Sequence, residues 1–88
     1  MVKELEQIVT VVKDETDNKI VLFNDDHNTF EWVIKSLVDV CDQSSEQAEQ
    51  CALIVHTKGR YAVKHGTPKL LKPICGALLE RGLTAEIQ

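Results

Sequence analysis

The apolar run Ile20-Val21-Leu22-Phe23 ends abruptly at Asn24-Asp25-Asp26-His27-Asn28. A short continuous apolar run bounded by turn formers reads as a buried strand. The polar residues behind it must leave the core at once, so a loop begins at the strand's last residue. Apolar residues then return at helical spacing: Phe30, Val33, Ile34, Leu37, Val38 and Cys41. Asn28 is the expected N-cap of that helix, with Glu31 in capping-box position. Strand, polar loop and helix N-terminus are thus forced into one short stretch of chain.

The remaining elements follow from the same signals. Asp42-Gln43 interrupts the helical pattern, and Ser44 with Gln47 opens a second helix by a capping box. Its face carries Ala48, Cys51, Ala52, Val55 and His56. It runs to about residue 57, and Gly59 suits its C-terminal cap. Tyr61-Ala62-Val63 is the kernel of a second strand, closed by Gly66. Thr67 and Pro68 read as N-cap and first helical residue. Pro73 lies too deep for a helix that starts at Pro68. Two alternatives follow: a separate turn over 68–71, or a helix starting near Leu71. Ile74, Ala77 and Leu78 form its inner face, Gly82 ends it, and Thr84–Ile87 is a final strand.

The order β-α-α-β-α-β implies an α+β fold, a three-stranded antiparallel sheet packed by three helices. The 88 residues hold one domain, 19–88, behind a flexible N-terminal tail, 1–18. Within the tail, Ile8-Val9-Thr10-Val11-Val12 has the composition of a strand, and an extra edge strand is the alternative there.

Composition narrows the function classes. A hydrophobic share of 43% supports a core, but 88 residues leave little room for a cofactor domain or an elaborate cleft. A binding module therefore ranks ahead of an enzyme, and no cofactor is expected. The net charge of −4 disfavours a nucleic-acid partner. No apolar stretch approaches the ~18 residues of a membrane span. The charged N-terminus lacks a signal-peptide core, so a cytoplasmic location and no membrane partner are expected. Cys41, Cys51 and Cys75 are odd in number, without a Cys-x-x-Cys pair, and read as free buried thiols. The charge is segregated. Residues 24–49 contain Asp25, Asp26, Glu31, Asp39, Asp42, Glu46 and Glu49 against Lys35. Residues 50–79 contain no acid, but Lys58, Arg60, Lys64, Lys69 and Lys72. One region suits a cationic group and the other an acidic partner.

Two places concentrate chemistry. The 24–28 loop can converge side-chain acceptors on one point, although Asx turns and an N-cap account for most such loops. Its spacing is not that of a calcium loop, and no metal site is expected. His56 shares a helix face with Ala52 and Val55, where a lone histidine is more often a satisfied core residue. No motif supplies it with a nucleophile. Phe30 and Trp32 read as core or pocket wall rather than as a stacking platform.

The segment Ile20-Val21-Leu22-Phe23-Asn24-Asp25-Asp26-His27-Asn28-Thr29-Phe30-Glu31-Trp32-Val33 resembles the N-terminal signature of the ClpS adaptor family. Gln47 through Arg60, with Val55-His56-Thr57-Lys58-Gly59-Arg60, resembles the family's second block at the family's spacing. The resemblance covers residues 19–88. It implies a non-enzymatic adaptor that binds destabilising N-terminal residues, Phe, Leu, Trp or Tyr. Such an adaptor delivers those substrates to a Clp-family AAA+ ATPase and its protease. It further implies that Asn24, Asp26 and His56 contact the substrate's α-amino group while Asp25 braces the loop or the peptide backbone. The side-chain pocket it implies is lined by Asn28, Phe30, Val33, Ala52, Val55 and Leu83. Asn28 stands where Thr is usual, and Thr29 where Pro is common. Phe30 and Ala52 stand where methionines often line the pocket, which leaves the ranking of the four side chains open. Lys69 and Ile74 fall where many members contact the ATPase N-domain with Glu and Lys. Docking is therefore expected around Lys69, Lys72 and Ile74, with the partner ATPase left open. The chain is read as a monomer. The alternative is a small protein–protein interaction module, similar to the ribosomal stalk C-terminal domain and indifferent to peptide N-termini.

Overall fold

A computed structural model describes residues 18–88. The elements are β1 (Asn18–Phe23), α1 (Phe30–Cys41), α2 (Ser45–Lys58), β2 (Arg60–Gly66), α3 (Pro68–Glu80) and β3 (Thr84–Ile87). The sheet order is β2-β1-β3 and both pairings are antiparallel. This is the α+β architecture that the sequence patterning implies. Strand β1 begins at Asn18, one residue inside the segment assigned to the tail. The rest of that segment, with the Ile8–Val12 strand alternative, lies outside the described residues.

The central strand is the most apolar, as its place requires. Ile20 and Leu22 are 0% and 1% exposed. They join Leu37, Val55, Leu71, Leu78 and Ala85 in one cluster between sheet and helices. The β1–β2 register shifts between Ile20 and Val21, where Val63 is the extra residue. Val63 is buried in the same cluster. All three cysteines are free and buried. Burial pushes the Cys41 thiol up to about 11 and raises Cys75 as well, so both stay protonated at neutral pH.

Two helix termini depart from expectation. The N-cap of α1 is Thr29, not Asn28: the Trp32 amide donates to Thr29 Oγ1 at 3.1 Å. Asn28 is displaced from that role because its side chain is engaged elsewhere, as described below. Helix α3 runs unbroken from Pro68 to Glu80 with Pro73 inside it, so neither alternative for that segment holds. Pro73 has no N–H for the Lys69 carbonyl. Both residues are exposed, and water can satisfy that carbonyl. The Ser44 and Thr67 caps form as expected, each accepting from an amide three residues on.

Helix α3 ends in a Schellman motif. Gly82 adopts φ 85°, its amide donates to Leu79 O at 3.0 Å, and the Leu83 amide donates to Leu78 O at 3.1 Å. The left-handed turn requires glycine and sends Leu83 back into the core, where it is 3% exposed. That turn reaches the same end of the sheet as the 24–28 loop.

Candidate functional site

A pocket of about 590 Å³ opens where β1 ends. The polar residues Asn24, Asp25, Asp26, Asn28 and His56 line it, together with Phe30, Val33, Ala52, Val55 and Leu83. All ten residues expected from sequence at the α-amino and side-chain site are therefore brought to one cavity. Leu22 and Phe23 line it too and were not anticipated. Their signal was adjacency: they are the last two residues of the apolar run before the loop. Lys69 and Lys72 are exposed on α3, away from the pocket lining, and Ile74 is partly buried against the core.

The walls are largely buried and the rim is exposed. Ala52, Val55, Leu83 and Leu22 are 4% exposed or less, whereas Phe30 is 39% exposed. At the rim, Asn24, Asp26 and His56 are exposed. The core-histidine alternative for His56 therefore falls. Backbone hydrogen bonding explains how the loop reaches His56. The Asn24 amide donates to Gly59 O at 2.9 Å, and the Gly59 amide donates to Val55 O at 2.9 Å. Gly59 adopts φ 94°, which turns the chain out of α2 and presents that carbonyl to the loop. The first loop residue is thereby tied to the helix end that carries His56.

The other side of the loop is held from within. Asp25 Oδ1 accepts from the His27 amide at 3.2 Å and the Asn28 amide at 2.9 Å. Asp25 Oδ2 accepts from Asn28 Nδ2 at 2.7 Å. Partial burial pushes the Asp25 carboxyl up, but these hydrogen bonds, led by the Asn28 side chain, together with the nearby His27 outweigh it and hold the carboxyl below its ordinary value. Asn28 Nδ2 also donates to Gly82 O at 2.9 Å, joining the loop to the α3–β3 turn. Trp32 Nε1 donates to Arg81 O at 3.0 Å, a second tie from α1 to that turn. The Arg81 guanidinium lies 5.3 Å from the Trp32 ring centroid and 3.2 Å from Asp39. Trp32 thus braces the turn beneath the pocket rather than lining it, a role that its helical spacing alone did not reveal.

Chemically, the cavity is an apolar slot whose mouth carries hydrogen-bond acceptors. Its lining holds no serine, cysteine or lysine that could act as a nucleophile. Among the described residues, no group of three His, Cys, Asp or Glu side chains is placed to hold a metal ion. Among the same residues, no helix is long and apolar enough to cross a membrane.

Comparison with known proteins agrees with this architecture. The family model for ClpS, the ATP-dependent Clp protease adaptor protein, matches residues 13–86. The ATP-dependent Clp protease adapter protein ClpS of Acetivibrio thermocellus is 34% identical over 62 residues, a match covering 61% of this chain and 63% of that protein. The fold is similar to that of Agrobacterium tumefaciens ClpS2, solved bound to L-phenylalaninamide. The TM-score is 0.76 at 21% identity, over 84% of this chain and 96% of that one. The matched family model spans nearly all of the β-α-α-β-α-β domain, including both the 24–28 loop and the α2 end that meet at the pocket; this chain belongs to the ClpS family of Clp protease adaptors.

Proposed function

We propose that this chain captures proteins by a free N-terminal Phe, Leu, Trp or Tyr and hands them to a Clp-family AAA+ ATPase through that ATPase's N-domain. The observation that carries the reading is the pairing of a slot walled by buried apolar residues with Asn24, Asp26 and His56 at its mouth. Among the described residues, none of these three side chains has a hydrogen-bond partner. An α-ammonium has donors only and needs acceptors from several directions. An amide oxygen, a carboxylate and a neutral imidazole supply them. Charge-assisted bonds of this kind contribute about 1.5–3 kcal/mol each. The apolar slot then takes up the side chain of the same residue. An internal or acetylated residue lacks the ammonium and leaves the acceptors unpaired, which yields selectivity for true N-termini.

Asp25 shapes the loop in this reading: it accepts three hydrogen bonds from within the loop, two at Oδ1 and one at Oδ2. The exposed lysines of α3, Lys69 and Lys72, together with the partly buried Ile74 of the same helix, form the proposed docking face for the ATPase. Cytoplasmic, monomeric action fits this role.

Fluorescence titration with a Phe-initiated peptide, a Leu-initiated peptide and their N-acetylated twins tests the reading. Saturable binding of the free forms, lost on acetylation, is expected. Equal behaviour of free and acetylated peptides would overturn it and favour an interaction module indifferent to N-termini.

A further inference from the structure

We infer that Asn28 reads the ligand's side chain, favouring aromatic residues that carry a hydrogen-bond donor, Trp and Tyr, over Phe and Leu. The inference rests on the N-terminal-residue reading of the pocket and names the substrate class within it.

The argument starts from the amide's orientation. Asn28 Nδ2 lies 2.7 Å from Asp25 Oδ2 and 2.9 Å from Gly82 O. A carboxylate and a backbone carbonyl only accept, so the Nδ2 side of the amide must face both. Flipping the group would set oxygen against oxygen twice. Both amide protons are therefore committed, and the side chain cannot present a donor to the cavity. What remains is Oδ1. It has no partner among the described residues, and it is not among the buried side-chain atoms left unpaired, so it is open to approach. Asn28 lines the pocket, as do the apolar residues Phe30, Val33, Ala52 and Leu83.

An unpaired acceptor in a wall that also carries apolar side chains, with no donor of its own to offer, discriminates in a definite direction. An indole N–H or a phenol O–H can donate to it. A phenyl ring or an isobutyl group covers the oxygen and offers nothing in return, so its water is lost without replacement. Phe30 adds a second preference. Its ring is 39% exposed, and an incoming aromatic ring can pack against it edge to face or offset. The α3 turn keeps this arrangement fixed, because the Gly82 carbonyl that holds Nδ2 belongs to the Schellman motif.

The test compares ligands that differ by one donor. Peptides of identical sequence begin with Trp, with 3-benzothienylalanine (sulfur in place of the indole N–H), with Tyr or with Phe. Each is titrated against the protein and against Asn28→Ala. The Trp peptide is expected to bind about fivefold tighter than its benzothienyl twin, the worth of one buried neutral hydrogen bond. The ratio is expected to fall to about one in Asn28→Ala. Because the ratio is taken within each protein, a general loosening of the loop in the variant does not affect it. Equal binding of the two peptides by the unaltered protein would overturn the inference while leaving the N-terminal-residue reading intact. Failure of every free N-terminus to bind would overturn both.

Discussion

The two sides of the pocket mouth are built on opposite rules. On the turn side, Asp25, Asn28, Trp32 and the carbonyls of Arg81 and Gly82 are tied to one another. On the helix side, the side chains of Asn24, Asp26 and His56 are exposed and make no hydrogen bond among the described residues, while the backbone holds them through the Asn24–Gly59 bond and helix α2. Asp25 and Asp26 are adjacent and chemically alike, yet they fall on different sides of this division. The backbone of the loop decides it by aiming Asp25 at the amides of His27 and Asn28. A rigid side lets the free side hold its acceptors ready without having to order them on binding.

Asp26→Ala should produce the largest effect, and on binding alone. It removes a charge-assisted acceptor, so affinity for a Phe-initiated peptide should fall by about 10- to 150-fold. The side chain bonds nothing among the described residues, so thermal unfolding should shift by less than about 4 °C. Calorimetry or a fluorescence melt alongside the titration separates the two readouts. A melting loss as large as that of an Asp25 variant would erase the distinction between the two carboxylates.

Asp25→Ala should do the reverse in proportion. It strands the amides of His27 and Asn28 and the Asn28 side chain, a cost of about 1–3 kcal/mol. For a domain of this size each kcal/mol lowers Tm by about 4–8 °C. Binding should weaken only as far as the loop relaxes. The pH dependence sharpens the contrast. The folded carboxyl titrates below its ordinary 3.8, so its stabilisation is fully present above that value and is lost as pH falls through the depressed one. Denaturant titrations of the protein and of Asp25→Asn should therefore show a stability gap that is constant above about pH 5 and closes in acid. A gap that widened on acidification would mean that the hydrogen bonds do not favour the charged form.

Much of this was legible in the sequence, and what was not has a common cause. Strand β1, the helix beginning at Ser45 and the cap at Gly59 each follow from a local pattern of apolar spacing and turn chemistry. Nine of the ten pocket residues lie in two motifs thirty residues apart, which the Asn24–Gly59 hydrogen bond brings together; the tenth, Leu83, lies outside both. Asn28 was misassigned as a cap because Asn and Thr at successive positions are both competent caps. The choice between them is made by Gly82, distant in sequence, whose carbonyl claims the Asn28 amide. Pro73 differs for a related reason: local rules weigh the missing N–H, whereas Leu71, Cys75 and Leu78 on the same helix are buried and favour a helix that continues through the proline. Trp32 as a brace depends on a carbonyl at Arg81, which no local pattern could name.

The smallest expected effect tests whether the turn side is held by main chain or by charge. The Arg81 guanidinium pairs with Asp39, which also meets Lys35 at 3.4 Å, and it lies over Trp32. Slight desolvation raises the Asp39 carboxyl, but Lys35 and Arg81 outweigh it and hold the group below its ordinary value. Exposed pairs of this kind contribute little, and an exposed cation–π contact adds little more. The bonds that fix the turn use the carbonyls of Arg81 and Gly82 and the amides of Gly82 and Leu83, none of which depends on the Arg81 side chain. Arg81→Ala should therefore lower stability only slightly, an effect that shrinks with added salt, and leave peptide affinity within about twofold. Trp32→Phe keeps an aromatic ring but removes the donor to the Arg81 carbonyl, so it should weaken peptide binding more than Arg81→Ala does. If the order were reversed, the turn would be held by its surface charges, and the pocket's rigid side would loosen in salt.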